Sequence, residues 1–412
     1  MTSTATPRTV PFVTRVRIEN YKSIAHCDVA LGPFTVLLGL NAAGKSNFLD
    51  ALRFVRDAVT RGLAEAVVAR GGLNEVLRRV PEPTKSFTIA LEFRIPAPGA
   101  DDSPWQARYE ISVTHPLAPE QPDLSLWSPR EECEIGPAGE PPQARFLVED
   151  GTVTDSAGHY GGRLRPGSLY LPVAGVSEPY ARLHEALTAM FFYDPDLAAL
   201  RDARPATGSD LLGEDGGHIG AILGRLGPWE RDRVSAYAAA IVPRLIAVGP
   251  STPGGDYVAA RMTTATGPGG AGRDFRAESM SEGTIRAVGL LAALFQPRAR
   301  DGRIPLVSVE EPELALHPMA AGVLFDALTE ASTWVQVLAT SQSAELFDRK
   351  EADLSAILVA AADNGVTTIG PVDPVSRSIV SDGLATLGEL LRSDQLRPSV
   401  PGDEAGGERQ AV

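Results

Sequence analysis

Long apolar runs are missing from this chain of 412 residues. No stretch approaches the ~20 apolar residues that a bilayer crossing takes, and Met1 to Val10 lack the apolar core of a signal peptide. Cysteine is nearly absent. Cys27 and Cys133 make no metal-ligand spacing and no disulfide framework, which fits a reducing cytoplasm. His26, His115, His159, His184 and His218 are scattered with no i,i+4 pair, and no Ser–His–Asp arrangement can be argued from spacing. No heptad pattern is long enough for a coiled-coil arm, and there are no repeats. Positive charge is also short: the net charge is −14 and the pI about 5.0. Nonspecific nucleic-acid binding draws on dense Lys and Arg, so the chain as a whole opposes it. Arg70, Arg78 and Arg79, with Lys85 after them, form the best local basic cluster, and a solvated positive face is its simplest reading.

What is present is the composition of a folded protein, 43% hydrophobic and 22% charged, long enough for one large or two modest domains. Residues 13–38 read as strands. Residues 63–80 are helical or irregular, broken at Gly71-Gly72. Between 86 and 172 the period changes to two, as in Ser86–Phe93 and Arg108–Val113, and Arg145–Val148 enters a hairpin at Glu149-Asp150-Gly151. Residues 177–246 read as mostly helical, interrupted near 203–216, with the cleanest helix at Arg231–Val242. Thr266–Gly272 reads as a turn between strands. Trp105, Trp127, Trp229 and Trp334 read as core or edge aromatics.

The strongest local signal is Gly39-Leu40-Asn41-Ala42-Ala43-Gly44-Lys45-Ser46, which fits G-x-x-x-x-G-K-[ST] at every fixed position. The apolar run Val36-Leu37-Leu38 precedes it. Phe48, Leu49, Leu52, Val55 and Val59 follow at helical spacing, to about Arg61. Strand, glycine-rich turn and helix build a phosphate cradle from loop N–H groups and a helix N-terminus. Lys45 is expected to reach the β- and γ-phosphates, and the Ser46 hydroxyl to hold Mg²⁺.

A second buried strand, Ile304–Val309, ends in Glu310-Glu311-Pro312-Glu313. Two acids at a strand end beside a P-loop make a Walker B site. Glu310 is expected to hold the Mg²⁺ water shell, one methylene further out than the usual Asp, and Glu311 to act as general base toward the attacking water. Upstream, Ser281-Glu282-Gly283 opens a helix, a turn that alone is little better than an N-cap. Downstream, the strand Trp334–Thr340 ends at Ser341-Gln342-Ser343, where a residue sensing the γ-phosphate belongs. His317 either touches a partner's site or caps the next helix.

In these motifs and their order the chain resembles the ABC-type ATPases of the RecF/SMC and OLD group, the compact bacterial ATPases with an EEPE Walker B. The resemblance spans about 13–395. It covers Arg17–Ile24, GLNAAGKSNFLDAL at 39–52, RGGLNEVLRR at 70–79, MSEGTIR at 280–286, VEEPELALHP at 309–318, ATSQSAELFD at 339–348 and Leu387–Leu391. It implies an α/β fold, an ABC-type P-loop NTPase head of two discontinuous lobes with an inserted β-rich and helical subdomain. The expected division is a flexible 1–12, a lobe at 13–85, an insertion at 86–272, a second lobe at 273–396 and a disordered tail at 397–412. The implied mechanism is an ATP-driven head-to-head homodimer. Each site would join Gly39, Asn41, Ala42, Ala43, Gly44, Lys45, Ser46, Asn47, Glu310 and Glu311 of one subunit to the partner's Ser281 and the partner's Gly283, with Lys22 and Ser23 near the nucleotide. Gln342 stands where the group has His. It can donate a hydrogen bond but cannot change charge near neutral pH, which implies slow or partner-dependent hydrolysis. No Q-loop glutamine can be placed. A Toprim nuclease domain is not expected, because the chain ends soon after the switch. The expected roles are DNA repair or genome maintenance, or a defence or regulatory ATPase gating a separately encoded effector such as a nuclease. The EEPE motif, the short early arm and the missing Q-loop count against a transporter subunit at the membrane.

Overall fold

The computed structural model describes residues 10, 12–98, 103–114, 128–158, 162–205, 210–254, 257–265, 272–343, 347 and 353–399. The expected turn at 266–271, the tail from 400, Trp127, His115, His159 and nearly all of the expected flexible N-terminus lie outside these residues. The described chain divides into two compact units, one of 12–188 with 347–399 and the other chiefly of 189–343.

The first unit begins with β1 (Val13–Tyr21), β2 (Ile24–Ala30) and β3 (Phe34–Leu38), followed by helix α1 (Lys45–Arg61). All five residues of β3 are buried, the pattern of a strand covered on both faces. α1 buries Phe48, Leu49, Leu52, Val55 and Val59, the apolar face foreseen from their spacing. Two short helices, α2 (Leu63–Val68) and α3 (Leu73–Val76), flank the Gly71-Gly72 break. The alternating segments then form β4 (Ser86–Ile95), β5 (Trp105–Thr114), β6 (Ser128–Pro137), β7 (Ala144–Glu149) and β8 (Thr152–Asp155). This antiparallel run hydrogen-bonds onto β1, with Ile18 opposite Ile89, and so extends the sheet that carries the P-loop strand. Helices α4 (Leu171–Ala174) and α5 (Tyr180–Thr188) follow. Glu131 of β6 is buried and ties α4 to the sheet, accepting from the Tyr109 hydroxyl at 2.7 Å, the Leu171 N–H at 2.9 Å and the Tyr170 N–H. Burial pushes its carboxyl up to about 7, with these hydrogen bonds opposing.

The second unit holds β9 (Phe191–Tyr193), α6 (Leu197–Arg201), β10 (Arg204–Pro205), α7 (Ile219–Arg225), α8 (Pro228–Ile241), β11 (Leu245–Gly254), β12 (Tyr257–Ala265), β13 (Gly272–Arg276), α9 (Glu282–Phe295), α10 (Pro297–Arg300), β14 (Leu306–Glu310), α11 (Pro318–Ala331) and β15 (Gln336–Ser341). β14 pairs in parallel with β15 on one side and β9 on the other. β9 is a short exception to the mostly helical reading of 177–246, its three residues being too few to show a period. β10 to β13 form a separate small sheet. The core is aromatic around Arg300, whose guanidinium lies 4.3 Å from the Trp229 ring centroid and 4.5 Å from that of Trp334. Trp334 and Trp105 are buried, and Trp229 lies at an edge.

The chain then returns to the first unit as β16 (Ile357–Asp363), β17 (Val366–Pro371), α12 (Pro374–Ser381) and α13 (Leu387–Arg392). β16 runs parallel to β3 and β17 parallel to β2, so that unit's strand order is β8-β7-β6-β5-β4-β1-β2-β17-β16-β3. Among the described residues, no helix is long and apolar enough to cross a membrane.

Candidate functional site

In the first unit the P-loop leaves β3 at Leu38 and enters α1 at Lys45. Gly44 sits in the left-handed region at φ 94°, and a Cβ there would come within 2.2 Å of the Thr367 hydroxyl. Both the conformation and the space require glycine. Lys45 is only 6% exposed, and its ammonium donates to the carbonyls of Gly39 at 2.9 Å and Leu40 at 3.0 Å. Its charge therefore lies within the loop. Leu40, Asn41, Ala42 and Ser46 are exposed around it. A cleft of about 620 Å³ opens beside the loop, lined by Gly39, Leu40, Asn41, Ala362, Asp363 and Arg397 among others.

The turn between β1 and β2 is brought to the start of α1. Asn47 donates to the Ser23 hydroxyl at 2.7 Å, and Ser23 shares a 2.7 Å hydrogen bond with the Thr367 hydroxyl. The Ser23 carbonyl also accepts from the Thr367 N–H at 2.8 Å. Lys22 sits at φ 50° and pairs with Asp50 of α1 at 2.5 Å. Asp50 also accepts from the Tyr21 hydroxyl at 2.7 Å and from Arg70 Nε at 2.9 Å. Arg70 reaches Asp57 at 3.2 Å, and its guanidinium lies 5.2 Å from the Phe54 ring centroid.

This network corrects the reading of a solvated positive face at Arg70, while Arg79 and Lys85 of the same cluster are exposed as that reading has them. The Arg70 side chain is 7% exposed, Arg78 donates to the Asn20 side chain at 3.0 Å, and Arg79 pairs with Glu75. The Arg70 charge serves the fold, with Asp50 and Asp57 of α1 supplying its partners. Burial alone would raise the Asp50 carboxyl, but the hydrogen bond and charge of Arg70, aided by Lys22, hold it below its ordinary value of 3.8. A depressed acid stabilises the fold fully above its ordinary value, and that contribution is lost as pH falls through the folded one. R70A removes the guanidinium shared by Asp50 and Asp57, which keep Lys22 and Arg56 as partners, and is expected to cost about 2 kcal/mol, read as a lower urea midpoint. The wild-type advantage should shrink below about pH 4, as Asp50 takes up its proton.

In the second unit, parallel pairing sets Glu310 opposite Thr340. The chain turns at Glu311, φ 42°, whose N–H donates to the Thr340 carbonyl at 3.1 Å. The Gln342 amide donates to a Glu311 carboxylate oxygen at 2.9 Å. The expected base and the expected switch residue are thus in direct contact. Ser281 caps α9, its hydroxyl accepting from the Thr284 N–H at 3.3 Å and sharing a 2.7 Å bond with the Thr284 hydroxyl. Gly283 packs so closely that a Cβ would lie 2.2 Å from the Ala315 carbonyl, which sets the start of α9 against the loop after Glu311. Arg201 anchors this turn by donating to the Met280 carbonyl at 3.0 Å. His317 has an exposed side chain, and its carbonyl accepts from the Ala320 N–H at the start of α11.

Sequence reasoning missed Asp50, Thr367, Arg201 and Glu313. Thr367 and Arg201 carry no local signal, because their partners are far along the chain. Glu313 was visible as the last acid of Glu310-Glu311-Pro312-Glu313, but nothing in the sequence joins it to Ser341, whose hydroxyl donates to it at 2.6 Å.

Among solved structures the chain is similar to an SMC head bound to the C-terminal winged-helix domain of ScpA, at 14% identity and TM-score 0.54, covering 89% of this chain and 100% of that one. It is also similar to the Smc head with an extended coiled coil from Pyrococcus furiosus, bound to the C-terminal domain of ScpA, at 12% identity and TM-score 0.52, covering 90% and 99%. At such identities the likeness concerns the fold. No match was found among curated proteins. The family described as "AAA domain, putative AbiEii toxin, Type IV TA system" matches residues 34–150 and 175–348. With its P-loop on a fold shared with SMC heads, the chain belongs to that AAA-domain family.

Proposed function

We propose that this chain binds and hydrolyses ATP with Mg²⁺, and that the nucleotide closes a head-to-head pair of its own copies. The observation that carries this reading is the built P-loop, in which the ammonium of Lys45 is held by the Gly39 and Leu40 carbonyls inside an exposed glycine-rich turn. Incoming phosphate oxygens exchange for those carbonyls, so the lysine swaps neutral acceptors for charged ones. The N–H groups of Asn41–Ser46 and the N-terminus of α1 face the same charge. Lys22, Ser23 and Asn47 border the nucleotide. The donor set suits Mg²⁺: Ser46 offers a hydroxyl and Glu310 a carboxylate, both hard oxygen ligands. When bound, the metal neutralises charge on the β- and γ-phosphates.

Glu311 draws the proton from the attacking water, and Gln342 orients it through their hydrogen bond. The partner's Ser281 and the partner's Gly283 present a helix N-terminus to the γ-phosphate. Release of phosphate then removes the charge that holds the pair.

Two settings fit this switch. Genome maintenance follows from the SMC-like fold by analogy alone. A defence or regulatory role, with a separately encoded effector such as a nuclease, is favoured by the toxin named in the family description and by the net charge of −14. Purified protein is expected to hydrolyse ATP only with Mg²⁺, measured as phosphate release with and without double-stranded DNA. DNA stimulation selects the first setting, and indifference to DNA the second. Absence of ATP binding by calorimetry overturns both.

A further inference from the structure

Three consecutive residues at the end of β15 reach the loop that follows β14. The Thr340 carbonyl accepts from the Glu311 N–H at 3.1 Å. The Ser341 hydroxyl donates to Glu313 at 2.6 Å, and the Gln342 amide donates to Glu311 at 2.9 Å. Ser341 is fully buried, and its oxygen also accepts from the Ser343 N–H at 3.0 Å. That hydroxyl therefore closes the turn around Gln342 and pins it to the Glu313 carboxylate. Parallel pairing alone fixes the strands only as far as Glu310 and Thr340, and beyond them a glutamine has free torsions that a single amide contact does not lock.

We propose that Glu313 is a positioning residue: through Ser341 it holds the turn at 340–343 so that the Gln342 amide stays on Glu311. Glu313 takes no proton from water and touches no phosphate in this scheme; it acts through Ser341. Its location is otherwise a poor one for an acid. One carboxylate oxygen, Oε2, is buried without a hydrogen-bond partner among the described residues. Burial, with the negative charge of Glu311 adding to it, raises the Glu313 carboxyl above its ordinary value, against the Ser341 hydrogen bond. An apolar residue would remove that cost and also the acceptor that sets the turn.

The inference rests on the reading that Glu311 and Gln342 handle the attacking water, and steady-state kinetics separate the two. E313A and S341A are each expected to lower kcat for ATP hydrolysis at least about tenfold, because a misplaced water-orienting group costs rate and not affinity. KM for ATP should stay within about twofold. E313Q keeps an oxygen acceptor for Ser341 and should recover most of the rate. The E313A/S341A double variant should be no slower than either single one, since both break the same link. A wild-type kcat in E313A while E311Q is inactive overturns the role of Glu313 and leaves that of Glu311 standing. E313Q as slow as E313A, or additive losses in the double variant, also overturns it. Wild-type hydrolysis by E311Q overturns both readings together.

Discussion

ATP binding is expected to fail when Lys45 loses its charge. K45A and K45M should raise the Kd for ATP by at least about 100-fold, the scale of one or two charge-assisted hydrogen bonds to phosphate. K45M retains most of the apolar stem in a residue only 6% exposed, so the packing of α1 should survive. Both variants release the Gly39 and Leu40 carbonyls that the ammonium holds in this structure. Circular dichroism should show an unchanged fold, and calorimetry or a fluorescent ATP analogue reads the affinity. Tight binding in both variants would sink the P-loop assignment, whatever the fate of hydrolysis.

The second large effect is expected at Glu311. E311Q should lower kcat by about 100- to 1,000-fold, the range of a lost general base, with ATP affinity retained. The amide oxygen of Gln at this position can still accept from Gln342, so the geometry at 311 and 342 remains while the basicity goes. With ATP and Mg²⁺ the variant should collect as a dimer in light scattering, because closure persists and release does not. A monomer at saturating nucleotide counts against the shared-site switch. Q342H offers a companion measurement: it places the His that the resemblance implies at this position, and a faster kcat would show that Gln342 sets the pace of hydrolysis.

The elements around the P-loop were legible because each obeys a local rule. Phe48, Leu49, Leu52, Val55 and Val59 recur at helical spacing and bury one face of α1. The Asp150-Gly151 turn joins β7 to β8 as the hairpin residues predicted. Glu311 and Gln342 could be named from motif order, and they meet at 2.9 Å. By contrast, β9 escaped notice because Phe191–Tyr193 has no room for a period. Arg70 was misjudged because its acids lie on α1, and a sequence shows charge without showing who neutralises it.

The sequence by itself determined the glycine-rich P-loop turn, the strand that delivers two acids, and the helix that Ser281 caps. These are short-range matters, set by glycine conformation, apolar period and capping within a few residues. The tertiary structure alone decided that Thr367 would lie beneath Gly44, that Asp50 would bind Lys22 and Arg70 together, and that Glu313 would meet Ser341. Those contacts join residues brought together by helix packing, parallel strand pairing and chain return. Their energy depends on burial and approach distance, quantities that no local pattern encodes.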